Sequence, residues 1–225
     1  MTPWRDAFAA ILAKDLRSEL RTLRSLPAMV LFAVTTFVIF RFGLDRTSLE
    51  GSLAGGVLLA TLLFAAILAI NRAFVAEREQ GGFDLIRLAP VDGAALFAAK
   101  VVALIAYLVA LEVIAVPLFA LLFGGTTGLL ALAPVLLLTD LGLATIGALV
   151  SSIAVHSRAR DLIAPLLLLP LLVPVMIAAG GAAEPLLAAG GPSFDGFGKW
   201  MAVLALYDVV FCLVGYAVYD FVLED

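Results

Sequence analysis

A chain of 225 residues that is 64% hydrophobic and only 14% charged carries too much apolar side chain for one core of its size, and soluble domains hold nearer about a quarter charged residues. An ordinary soluble enzyme is therefore excluded, no nucleic-acid partner is expected, and the remaining solvent has to be a lipid bilayer. The net charge of −4 says less than its distribution, and the lone Cys212 in an apolar run offers neither a disulfide frame nor a cysteine metal cluster, so it reads as a buried, inert thiol.

Residues 4–24 predict a helix with an apolar stripe. Trp4, Phe8, Ile11, Leu12, Leu16, Leu20 and Leu23 recur every three or four positions, while Arg5, Lys14, Arg17, Arg21 and Arg24 occupy the other flanks. Such a helix suits the membrane surface, with its basic side chains at lipid headgroups; the other reading is a short soluble helix packed on a partner. The first span follows at once, which favours the interface. Arg5, Asp6, Lys14 and Asp15 interrupt any signal-peptide core before Leu26.

Six spans are then expected, at about 26–44, 51–70, 95–123, 129–153, 162–179 and 200–223, each close to the roughly 20 residues that cross a hydrocarbon core. Orientation follows from Lys and Arg. With the N-terminus inside, the inner segments hold eleven: Arg5, Lys14, Arg17, Arg21, Arg24, Arg72, Arg78, Arg87, Lys100, Arg158 and Arg160. The outer segments hold three: Arg41, Arg46 and Lys199. Both termini and the link 71–100 are thus expected in the cytoplasm. The last outer segment, 180–199, has glycines and prolines around a small apolar piece at 185–189. It reads either as a loose external loop or as a short re-entrant helix, which is tolerated only where protein buries its backbone.

The link 71–94 is the longest charged interruption. A helical run at 72–80 carries Glu77, Arg78 and Glu79 and stops at Gly81-Gly82. A small amphipathic helix with Phe83, Asp84, Leu85, Ile86, Arg87 and Leu88 follows, and Pro90 ends it. Asp92 is placed to cap the third span. A solvated loop would leave Phe83, Leu85, Ile86 and Leu88 in water, so a partner surface is the better reading.

The run 74–100, with Glu77-Arg78-Glu79, Gly81-Gly82, Asp84, Leu88-Ala89-Pro90-Val91 and Lys100, resembles the first cytoplasmic loop of ABC-2-type transporter permeases. Nearly the full length resembles the B-subunit (CcmB) family of the haem exporter of cytochrome c maturation. That resemblance rests also on Lys14-Asp15-Leu16-Arg17-Ser18-Glu19, Asn71-Arg72-Ala73-Phe74, Val116-Pro117-Leu118-Phe119 and Arg158-Ala159-Arg160-Asp161 leading into Leu169-Pro170-Leu171-Leu172-Val173-Pro174. Phe83 departs from it, standing where such loops often carry a small hydroxylated residue.

The resemblance implies an all-α polytopic fold, a single permease domain over 1–225 with six transmembrane helices and an N-terminal interfacial helix, of the type V exporter-like ABC-2 kind. It implies residence in the bacterial inner membrane and no catalytic residues. An ABC ATPase subunit would bind ATP and dock on Glu77, Arg78, Glu79, Gly81, Gly82, Phe83, Asp84, Leu85, Ile86, Leu88 and Pro90. A second copy of the chain, other cytochrome c maturation membrane subunits and a periplasmic haem chaperone would complete the assembly, with haem as cargo rather than resident cofactor. Consistent with this, no G-x-x-x-x-G-K-[ST] phosphate loop occurs in the sequence.

Glu112, Asp140 and Asp208 lie within spans, where ionisable groups are costly and are functional candidates. No basic residue is expected mid-span to pair with them. Interhelical hydrogen bonding and a substrate or proton pathway both remain open, and Pro117 would kink the third span near Glu112. His156 invites an axial-ligand reading but sits beside Ser157-Arg158 in a short polar turn, which favours a solvated histidine. Ser151, Ser152 and His156 lack a glycine-framed nucleophile and do not predict a hydrolase. Two other functions compete with the permease: a proton-coupled carrier using Glu112 and Asp140, and a non-transporting assembly subunit.

Overall fold

The computed structural model describes residues 4–22, 25–44, 46, 48–79, 92–124, 128–155 and 160–224. Among these the chain is helical: α1 (Trp4–Thr22), α2 (Leu26–Gly43), α3 (Gly51–Glu79), α4 (Gly93–Phe123), α5 (Leu129–Val155), α6 (Arg160–Leu186) and α7 (Phe197–Glu224). Six of them, α2 to α7, are long and apolar enough to cross a membrane. The seventh, α1, carries too many charges to cross and packs along α4 instead.

α5 is the centre of the bundle, in contact with α3, α4, α6 and α7. Its residues from Thr139 to Ser152 are almost continuously buried. The reason is small side chains: Gly142, Ala144, Gly147 and Ala148 let neighbours close in without leaving voids. At Gly142 an added Cβ would stand 2.8 Å from Asp208 Oδ1 and 3.1 Å from Val175, so three helices meet at that point. α2 lies outside, against α3 and α4, and buries only Met29, Ala33 and Phe37. Phe37 meets Phe119 and Phe123 edge-on, with centroids 5.5 and 6.3 Å away.

Local signals set several helix ends. The Asp92 carboxylate accepts from the Ala94 amide at 2.8 Å, and its backbone is extended as an N-cap requires. α2 begins differently. Ser25 makes no side-chain cap, and Glu19 reaches over from α1 to accept from the amides of Ser25 (2.7 Å) and Leu26 (3.1 Å). The α2–α3 link is tied by Arg41, which donates to the Arg46 carbonyl, and by the Gly51 amide, which donates to the Leu187 carbonyl at 2.7 Å.

Two helices run further than the expected spans. α3 is continuous from Gly51 to Glu79, so the charged run from Arg72 to Glu79 extends that span rather than forming a separate piece of the link. α6 continues through Gly180-Gly181 to Leu186 and ends in a turn that leads to α7. The re-entrant helix weighed for 185–189 is therefore not present. Gly181 lies within this helix, and its missing Cβ admits the Trp200 indole, whose Cε2 would lie 2.4 Å from a Cβ there.

Candidate functional site

Two groups of polar residues stand out: three acids within spans, and a set at the end of the bundle where α1 meets α4.

Glu112 projects from α4 and Asp140 from α5, near enough for their carboxyl groups to interact. Two carboxylates only accept, so a hydrogen bond between them requires that one carry a proton. Asp140 is 3% exposed, and its Oδ2 has no partner among the described residues. Asp208 lies on the other side of α5, 1% exposed, against Gly142, with neither carboxyl oxygen partnered among the described residues. The structure thus brings Glu112 and Asp140 together and keeps Asp208 apart from that pair across the central helix.

Neighbouring hydroxyls do not extend the pair into a relay. Thr139 Oγ1 donates to the Val135 carbonyl at 2.7 Å, Thr145 to Leu141 at 2.8 Å and Ser152 to Leu149 at 2.7 Å, each within α5. Such bonds satisfy a hydroxyl in hydrocarbon at the expense of slight helix bending. Tyr207, next to Asp208, donates to the Leu171 carbonyl of α6 at 2.8 Å and so ties α7 to α6. His156 lies outside the described residues.

Most of the expected docking segment, 80–91, also lies outside the described residues, and with it Gly81, Gly82, Phe83, Asp84, Leu85, Ile86, Leu88 and Pro90. Glu77, Arg78 and Glu79 belong to the last turns of α3. What the structure describes is the frame of that segment: α3 and α4 pack on each other, and the segment joins the end of one to the capped start of the other.

Beside that frame is a feature the sequence reading missed. Lys100 of α4 is 7% exposed and its Nζ lies 2.8 Å from Asp15 Oδ2 of α1. The Tyr107 hydroxyl donates to the Asp15 carbonyl at 3.1 Å. The available signal was a lysine inside the expected span 95–123, which needs a counter-charge; the identity of the acid, 85 residues away, has no local trace.

A family model described as CcmB protein matches residues 6–222. The chain is 30% identical over 170 residues to "Heme exporter protein B" of Rhodobacter capsulatus, covering 75% of this chain and 78% of the relative. It is 30% identical over 204 residues to the protein of the same name in Pseudomonas aeruginosa, covering 88% and 89%. With that of Bradyrhizobium diazoefficiens it shares 29% over 215 residues, 93% of each chain.

Proposed function

The chain belongs to the CcmB protein family, and from that premise we propose that it is the permease subunit of an ABC transporter handling haem for c-type cytochrome maturation. The observation that carries the reading is the family match over residues 6–222, which includes every one of the six helices able to span a membrane. The relatives' printed name supports haem export as the activity. Haem is then cargo, moved or released at the periplasmic side, and ATP is hydrolysed by a separate subunit.

In this reading the excess of Lys and Arg puts both termini and the link 71–100 in the cytoplasm of a bacterial inner membrane. The ATPase grips Glu77, Arg78, Glu79, Gly81, Gly82, Phe83, Asp84, Leu85, Ile86, Leu88 and Pro90. Because α3 and α4 pack together, a push on the link moves two spans at once. Six spans make half of a transporter, so the core holds a second copy of the chain. Glu112 and Asp140 serve as an interhelical bond that fixes α4 to α5.

The deciding experiment purifies the chain from membranes with its native partners. Ile86→Asp should abolish co-purification of the ATPase while membrane insertion stays normal. Unchanged co-purification would overturn the reading. A second reading, a proton-coupled carrier, draws on the Glu112–Asp140 contact. It requires transport that follows the proton gradient and survives removal of every ATP-binding partner.

A further inference from the structure

We propose that Asp15 and Lys100 form a joint through which α4 carries movement to α1, and that α1 passes it to α2. The inference rests on the transporter reading for the source of the movement, and on the helix contacts for its route. Lys100 and Tyr107 are seven residues apart, two turns along one face of α4, and both grip Asp15: one its carboxylate at 2.8 Å, the other its backbone carbonyl at 3.1 Å. Held at side chain and backbone, α1 can neither slide along α4 nor roll on it without breaking a bond. The ion pair is shielded, with the side chains 9% and 13% exposed. Lys14 also approaches Asp15 at 3.2 Å, but from solvent.

The length of α4 indicates what the joint does. Its 31 residues measure about 46 Å at 1.5 Å each, against a hydrocarbon core of about 30 Å. Lys100 lies seven residues after Gly93, about 10 Å along the helix. The turns before it lie on the side of the link. They are rigid: Ala94, Ala95, Leu96 and Ala99 are buried. One turn further along α1, Glu19 caps the first amides of α2, and α2 is a peripheral span with few buried residues. An unbroken set of hydrogen bonds thus runs from α4 through Asp15 and Glu19 to the outermost span. Asp15 and Lys100 are positioning residues.

The test uses the full chain in membranes with its ATPase, as Asp15→Asn, Lys100→Gln, Tyr107→Phe and the swap Asp15→Lys/Lys100→Asp. Trypsin cleavage at Arg17 and Arg21, exposed on α1, reads the joint without reference to the ATPase. Cytochrome c matured per ATP hydrolysed reads transmission. Asp15→Asn and Lys100→Gln should each raise cleavage about tenfold and lower the yield per ATP about tenfold, with the ATPase still co-purifying. Tyr107→Phe, which removes one grip, should change both about threefold. The swap should return both readouts to within about threefold of the unaltered chain. Single variants that behave as the unaltered chain on either readout, or a swap no better than the worse single variant, would overturn the joint. An unaltered chain that co-purifies no ATPase would instead sink the transporter reading, while the cleavage series still decides the joint.

Discussion

Asp208 of α7 lies directly over Gly142 of α5: a Cβ at residue 142 would come 2.8 Å from its Oδ1 and 3.1 Å from the Val175 side chain. A buried carboxyl with neither oxygen bonded among the described residues is held there by close packing. Gly142→Ala should therefore cost about 1–3 kcal/mol, as overpacking of a tight core does, read as a lower thermal midpoint in detergent. Paired with Asp208→Ala it should cost less than the two changes summed, because the shorter side chain leaves room for the new methyl. Additive losses would mean that Gly142 does not meet Asp208.

The Glu112–Asp140 contact separates a bond from a pathway. An amide can replace one carboxyl and still hydrogen-bond the other. Glu112→Gln should keep thermal stability within about 1 kcal/mol and cytochrome maturation within about threefold. Glu112→Ala leaves Asp140 buried and alone, and should cost about 1–3 kcal/mol. Loss of maturation in a stable Glu112→Gln variant would move the pair from fastening helices to carrying protons.

The six spans could be read from the sequence because each is a long apolar run, and lipid leaves few other solutions. Helix ends were less legible. The charged run 72–79 continues α3 because no residue in it breaks a helix. Gly180-Gly181 looked like a break, yet the space left at Gly181 is filled by Trp200, a partner that no local pattern reveals. The three intramembrane acids were visible as residue types. Which two would meet was not, since it depends on how the long helices dock around α5.

Glu19 offers a check on how α1 and α2 are joined. Its Oε1 accepts from two amides at the start of α2, where Ser25 supplies no cap of its own. Glu19→Ala should cost about 1 kcal/mol, the usual loss for a removed N-cap. Glu19→Gln keeps an oxygen acceptor and should cost less. Hydrogen exchange at the Ser25 and Leu26 amides is the direct readout: both should exchange faster in Glu19→Ala, and unchanged rates would mean that Glu19 does not cap α2.

Phe97 and Gly215 test the packing of α4 on α7 at the end nearest the link. A Cβ at residue 215 would stand 2.2 Å from the Phe97 ring edge, and the ring also packs against Tyr219, one turn along α7, with centroids 5.2 Å apart. Tyr219 is fully buried, so Phe97 has little freedom to swing away. Gly215→Leu should force the helices apart and cost about 1–3 kcal/mol. Phe97→Ala alone should cost about 3–5 kcal/mol through the cavity it leaves. Combined, the new leucine enters the space of the lost ring, and the double variant should be more stable than Phe97→Ala alone. The ordering of the three thermal midpoints is the measurement. A double variant less stable than both single variants would show that α4 and α7 do not share that space.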